Sequence, residues 1–380
     1  MNNLLAICLL GILIGAPTVS AAAPAEQSGQ GGLELSGSMY ADCGMLHDLR
    51  ENQKDKLDFL GTAVFAAQFR TVNRKHAKVE GDFELILPYG TAAEWYIFAL
   101  RSNETDSTAQ QLRQTASRYY ELYGMEKTLF LLDMRKLYLE FYLPFADVAA
   151  GRQIINFGKG FLFSPIDAFS SAQISDINFR RNGSDVANIR IPFGDLAGVD
   201  CIVEAPIGDR EHSSAMKLFG TIVGWDLSCV GLYHHKSREA VAGAAFKGDA
   251  FAGVYGELVE HFVDGFDKQY FECMLGADYS INNVWFFNAE YYYKDGPKTP
   301  LSLWGCNNAY ASIQFSPNEL TRFSIIGCYQ FEAQSAIGML SWYYSLFQNT
   351  DLFAYVRGYR HLQSIGAPDF QYSMRVEVKF

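Results

Sequence analysis

The last ten residues read QYSMRVEVKF, positions 371–380, and they divide by parity. Tyr372, Met374, Val376, Val378 and Phe380 are apolar, whereas Gln371, Ser373, Arg375, Glu377 and Lys379 are polar or charged. Successive side chains of a strand point to opposite faces, so this segment predicts a β-strand with one apolar and one polar face. The same division recurs upstream. Leu137, Leu139, Phe141 and Leu143 alternate with Lys136, Tyr138, Glu140 and Tyr142. Phe323, Ile325, Gly327 and Tyr329 alternate with Arg322, Ser324, Ile326 and Cys328. Aromatic residues crowd the strand ends, at 285–287, 291–293 and 342–344.

Composition agrees with fine interleaving. Of 380 residues, 49% are hydrophobic and 15% aromatic, with 22 Tyr and 29 Phe, yet mean hydropathy is -0.03. The aromatic content excludes a disordered chain, and the absence of a glycine period excludes a collagen-like one. A helical membrane protein is excluded because the longest apolar run, residues 4–16, is shorter than the roughly 20 residues a spanning helix needs. A formal charge of -11 and a pI near 5.2 argue against nucleic acid as a partner, since such proteins present a basic face.

The N-terminus reads as a targeting segment. Residues 4–16 form an apolar core, followed by Pro17 and the small residues Ser20, Ala21, Ala22 and Ala23. This predicts a secretory signal peptide over 1–21, with cleavage after Ala21 or as late as Ala23. Met1-Asn2-Asn3 departs from the pattern in carrying no Lys or Arg. Cys8 lies inside the apolar core rather than after it, which argues against a lipoprotein box. Residues 22–32, rich in Gly and Ser, predict a flexible lead-in, and 33–380 the folded domain.

Turn signals separate the alternating runs: Gly194-Asp195, Gly248-Asp249, Asn282-Asn283, Ser316-Pro317-Asn318 and Gln348-Asn349. Every second connection is short, and those between them are longer, at 205–213, 262–268, 294–306 and 361–368. An exported chain of many antiparallel strands can be a soluble sandwich or a closed membrane barrel. Sorting of loops by length, with aromatic residues at strand ends, fits the barrel, which has short turns on one side and long loops on the other. Closure also satisfies every backbone group where lipid offers no hydrogen bonds. The fold class predicted is all-β, an antiparallel transmembrane β-barrel. Nineteen strand candidates can be marked, including 33–42, 58–69, 78–87 and 92–101 in the first hundred residues. Bacterial single-chain barrels have even strand numbers, so one candidate, expected in that first hundred, is not in the wall, and 16–18 strands are predicted. A barrel of that width encloses an aqueous channel.

Two stretches resemble known families. The alternating C-terminus ending on Phe380 resembles the terminal signal of outer-membrane barrels, which implies assembly by their insertion machinery through Tyr372, Met374, Val376, Val378 and Phe380. Gly151-Arg152-Gln153, then Gly158 and Pro165-Ile166-Asp167, resemble the Gly-Arg-Gln, Trp-Gly and Pro-x-Asp series of porin-like barrels, the alginate-export group and its uncharacterised relatives among them. Phe157 stands where those proteins often have Trp. The resemblance covers about 127–205 and implies an outer-membrane porin, without naming a solute.

Residues 156–185 form a long segment with few strand signals, and segments of this kind are functional or disordered. Phe157, Phe161, Phe163, Ile166, Phe169, Ile174 and Phe179 can anchor it, while Lys159, Asp167, Asp176, Arg180, Arg181 and Asp185 supply charge. One reading folds it into the lumen as a constriction with a basic side, joined by Arg190, which lies opposite Ile189 and Ile191 on the next strand. The other makes it an outside loop with solvated charges. Residues 102–126 carry Leu112, Ala116, Tyr119 and Tyr123 at helical spacing, which fits a helical turn or a capped loop.

Six cysteines follow the signal: Cys43, Cys201, Cys229, Cys273, Cys306 and Cys328. They can be wall residues or up to three disulfides, and no CxxC spacing points to zinc. His234-His235 reads as exposed. His212-Ser213-Ser214 contains a base and nucleophiles, but adjacent strand residues face opposite ways and no acidic partner is identifiable. An enzyme is therefore not expected, nor are a metal or a cofactor. The expected partners are outer-membrane lipid, the barrel assembly machinery and small solutes. The function predicted is passive diffusion of small hydrophilic solutes, selected by lumen size and charge. A structural or adhesive barrel without conduction has the same strands, and a membrane-embedded hydrolase is the remaining class.

Overall fold

The computed structural model describes residues 32–47, 57–72, 76–90, 93–94, 97, 120–124, 129–167, 169–170, 180–204, 212–263, 268–295, 306–360 and 369–380. The expected signal peptide and the lead-in lie outside these residues, except that Gly32 already begins the first strand. The first half contains β1 (Gly32–His47), β2 (Leu57–Val72), β3 (Ala77–Gly90), β4 (Tyr120–Gly124), β5 (Leu129–Tyr142), β6 (Asp147–Gln153), β7 (Ser184–Pro192), β8 (Ala197–Glu204) and β9 (Ser213–Ile222). The second half contains β10 (Trp225–His234), β11 (Glu239–Asp249), β12 (Gly253–Val263), β13 (Lys268–Ile281) and β14 (Trp285–Asp295). It ends with β15 (Asn307–Asn318), β16 (Thr321–Gln330), β17 (Ser335–Phe347), β18 (Thr350–Arg360) and β19 (Phe370–Lys379).

Eighteen of these strands close into an antiparallel barrel. β4 is the supernumerary one. It pairs with Leu129–Leu132 of β5 on the edge opposite β3, above the point where β6 stops pairing. Where a strand is expected at 92–101, the described residues, Ala93, Glu94 and Ile97, are helical, and the others lie outside the described residues. The apolar run has no alternation to give a two-faced wall strand. In the 102–126 segment the described part, Tyr120–Gly124, is strand rather than helix, and the rest lies outside the described residues.

The seam is made by the C-terminus. β19 pairs with β18 on one side and with β1 on the other, from Ser38↔Lys379 to His47↔Phe370. Beyond that register the Phe380 N–H donates to Gly37 O at 3.0 Å, and Gly37 N–H donates to Phe380 O at 2.9 Å. The Phe380 ring stacks on Phe65, with centroids 5.9 Å apart, and passes over Gly37. A Cβ at Gly37 would lie 2.6 Å from the Phe380 ring, so only glycine leaves it room.

Polarity is inverted relative to a water-soluble domain. On β12 Glu257 is 1% exposed and its neighbour Leu258 is 53% exposed. The apolar halves of the alternating strands, such as Leu137, Leu139 and Phe141 or Phe323 and Ile325, face outward and are exposed. Soluble proteins bury such residues and expose the charged ones. Trp285, Phe315, Phe323 and Trp342 lie side by side in register near the short-turn end, with Trp285 and Phe315 centroids 4.4 Å apart. Tyr291 and Tyr329 stand six residues further along their strands, roughly 20 Å at 3.4 Å per residue. Two aromatic rows thus bound an apolar band.

Connections at one end are two to four residues long, for example 223–224, 319–320 and 348–349. The other end carries the long ones, up to 154–183, although 235–238 and 331–334 are also tight. Both Gly32 and Phe380 lie at the short-turn end. All six cysteines are free thiols. Cys43, Cys201, Cys229 and Cys273 share the register of outward apolar residues, and Cys328 packs inside.

Candidate functional site: a loop fixed inside the barrel

Apolar residues buried inside the barrel gather around the segment after β6. Ile155, Phe157, Ile166 and Phe169 pack with Val186, Ile202, Val230 and Val259 of the inner wall. Leu162 and Phe163 pack with Tyr255, Met274, Tyr292 and Tyr310. Phe163 stacks on Tyr292 at 5.2 Å and Phe161 on Tyr310 at 5.8 Å. The stretch from 154 to 167, with Phe169 and Ser170, therefore lies inside the lumen, along β7 to β15.

Two wall carboxylates hold its backbone. Glu257 of β12 accepts from the N–H groups of Lys159 (2.6 Å), Gly160 (2.9 Å) and Ile166 (3.1 Å), and from Ser164 Oγ (3.0 Å). Glu290 of β14 accepts from the N–H groups of Phe161 (2.5 Å), Leu162 (3.0 Å) and Phe163 (2.9 Å), and from the Tyr255 hydroxyl (2.9 Å). A buried carboxylate is costly unless its lone pairs are filled, and a loop removed from sheet pairing has N–H groups to place. Each solves the other's problem. The backbone must come close for this, and a Cβ at Gly158 would overlap Ser164 Oγ and lie 2.6 Å from Glu257 Oε1.

The residues of the Gly-Arg-Gln and Pro-x-Asp stretches frame the neck of the loop. Arg152 forks Asp185 with bonds of 2.9 and 2.5 Å and reaches Met134 O at 3.2 Å, tying the exit of β6 to the entry of β7. Gln153 reaches Val186 O at 3.5 Å. Asp167 accepts from Phe157 N–H at 2.6 Å and Gly158 N–H at 2.8 Å, and it pairs with Arg181. Pro165 is the second residue of a turn in which Asp167 N–H donates to Ser164 O at 3.1 Å.

The charges expected at a constriction are thus distributed unevenly. Arg180 pairs with Glu84 of β3 across the lumen, and Arg181 with Asp167. Arg190 faces inward and pairs with Asp200 at 2.7 Å. Lys159 lies 3.6 Å from Asp226. Asp185 departs from the expectation. It occupies the outward register of β7, with Ile189 and Ile191, because its parity is theirs and opposite to that of Arg190. Asp176 lies outside the described residues, as do Ile174 and Phe179.

Two cavities flank the loop. One, of about 340 Å³, lies between Phe161 and the β15–β19 wall, where Arg322, Arg375, Lys379, Asp351 and Glu377 face it. Arg375 is held by Asp42 at 2.7 Å and Lys379 by Asp351 at 2.7 Å. The second, of about 300 Å³, is lined by Glu140, Asp147, Asn188, Arg190, Asp200 and Lys217. Loop arginines are therefore absorbed in holding the loop, and the wall supplies most charge to the free space. Glu257 and Glu290 were not singled out in the sequence. Their signal was only a lone acidic residue at an inward parity between apolar neighbours.

The hydroxyls of Ser213 and Ser214 do not act with His212. Ser213 Oγ lies 2.9 Å from His234 Nδ1, and Ser214 Oγ lies 3.1 Å from His235 Nε2, the two pairs on opposite faces of the wall.

No family model matches the chain, and no curated protein matches it. Solved structures do. OccAB4 of Acinetobacter baumannii aligns with a TM-score of 0.56 at 10% identity, over 93% of this chain and 99% of that one. OccAB2 of the same organism aligns with a TM-score of 0.55 at 6% identity, over 91% and 98%. OccD3 (OpdP) of Pseudomonas aeruginosa aligns with a TM-score of 0.54 at 7% identity, over 91% of each. The alginate-export resemblance finds no support in these comparisons. At such identities the likeness establishes the fold alone, a closed antiparallel β-barrel that this chain shares with these solved structures.

Proposed function

We propose that the protein is an outer-membrane porin through which small hydrophilic solutes diffuse passively. The observation that carries this is the loop at 154–167, fixed inside an eighteen-stranded barrel by Glu257 and Glu290, with polar cavities on both sides of it. A lumen built as a plug would be packed throughout. Among the described residues this one is packed on the β7–β15 side and around Tyr40, Val64, Ile86, Leu129 and Leu131 of β1–β5, and charge lines the two cavities beside the loop. The exposed apolar band between aromatic rows supports residence in a membrane, since closed barrels and helices alone satisfy their backbone there. Selection then rests on width beside Phe161 and on the fields of the wall charges, which act within about 8–10 Å at physiological salt.

Purified barrel in a planar bilayer should give discrete current steps, and liposomes carrying it should swell in small sugars but not in large ones. A correctly inserted barrel that passes neither ions nor sugars would make it a structural or adhesive barrel.

A further inference from the structure

Above the loop, toward the long-connection end, an inward-facing cluster of ionisable side chains spans five strands. His261 of β12 stands at its centre. From β11, Glu239 Oε1 lies 2.6 Å from His261 Nδ1, and from β13 the Tyr270 hydroxyl donates to the same oxygen at 2.6 Å. The Tyr270 ring stacks on the imidazole with centroids 4.1 Å apart. Glu272, also of β13, places Oε1 3.5 Å from His261 Nε2. From β14, Lys294 lies 2.8 Å from Glu272 Oε1 and the Tyr292 hydroxyl donates to Glu272 Oε2 at 2.6 Å. From β10, His234 faces the same side and bonds Ser213.

One atom in this cluster is unsatisfied. With Nδ1–H directed at Glu239, a neutral imidazole presents Nε2 as a lone pair. That nitrogen is buried and has no hydrogen-bond partner. What it faces is a carboxylate oxygen, so two acceptors oppose each other. A proton on Nε2 converts that opposition into a charge-assisted N–H···O bond, the stronger kind.

The consequence reaches the loop through two contacts. Glu272 holds the Tyr292 hydroxyl, and the Tyr292 ring stacks on Phe163, whose N–H is one of the three held by Glu290. We propose that His261 is a proton-operated brace that, once protonated, ties Glu239 to Glu272 and steadies Tyr292 against the in-folded loop. This rests on the channel reading only for its effect on current, with a quieter pore in acid and a noisier one in alkali. The brace itself is a property of the folded barrel. Histidine is the side chain whose ordinary titration falls between pH 5 and 8.

Hydrogen exchange on the full barrel in detergent tests the brace without any current measurement. Corrected for intrinsic exchange, the amides of Phe161, Leu162 and Phe163 should be about tenfold better protected at pH 5.5 than at pH 8. His261→Gln should remove that difference. Tyr292→Phe, which keeps the ring stack but loses the hydroxyl tie to Glu272, should reduce it. His234→Gln should leave it intact. Equal protection at the two pH values, a difference that survives His261→Gln, or one that vanishes with His234→Gln would overturn the brace. Absence of current with the exchange difference present would instead overturn the channel reading.

Discussion

Glu257 and Glu290 each gather four donors, six of the eight being N–H groups of the loop. Hydrogen bonds to charged groups contribute about 1.5–3 kcal/mol each, so these two residues account for much of the loop's fixity. Glutamine fits the same space but turns an amide NH₂ toward N–H donors. Glu257→Gln and Glu290→Gln should therefore leave the barrel assembled while loosening 159–166. Trypsin cleavage after Lys159 in the folded protein should speed up tenfold or more. Cleavage at the wild-type rate in both variants would show that aromatic packing alone holds the segment.

At the scale of the element, β19 closes the barrel between β18 and β1. Phe380 contributes two backbone hydrogen bonds to Gly37 and a ring contact to Phe65. Removing it unpairs the seam at its short-turn end, where an open edge has no partner in lipid. Deletion of Phe380 should lower the amount of assembled, heat-modifiable barrel and leave protein in the periplasm. An unchanged membrane level in the truncated protein would refute this. The outward face sets a second expectation. Arginine at the midplane of a lipid-facing strand costs about 2–4 kcal/mol, so Ile325→Arg should lower folding stability in liposomes by that amount, while Arg322→Ala on the inner face should not.

For the whole molecule, the proposed channel takes its ion preference from where the charges are placed. The chain is acidic overall, at -11, but distant charge is screened and the lumen is read locally. Arg180, Arg181 and Arg190 are matched by Glu84, Asp167 and Asp200. Replacing all three arginines by Ala removes these partners, leaving Glu84 only Arg135 at 3.9 Å, and makes the field beside the loop more negative. A tenfold bias needs only about 1.4 kcal/mol, so the reversal potential in a salt gradient should move toward cations. Unchanged selectivity would place the narrowest passage elsewhere, beside Arg322 and Glu377.

Parity alone determined the strands, the face each presents and the barrel that follows. Residues 371–380 and 136–143 carry that pattern because a wall between lipid and water must alternate at every position. Parity failed at 92–101, an apolar run without alternation, and it could not rank the strand at 120–124, which lies outside the continuous wall. The long segment after β6 was legible as special, since Phe and charge together suit neither strand nor solvent. What it does with its charges was decided by tertiary structure. Arg180 meets Glu84, 96 residues earlier, and Phe161 meets Glu290, 129 residues later. Hydrogen bonds across such separations exist only once the wall curves round on itself, because a closed lumen brings strands far apart in sequence within reach of one loop. Local pattern dictates which face a side chain takes, and closure of the barrel dictates what it meets there.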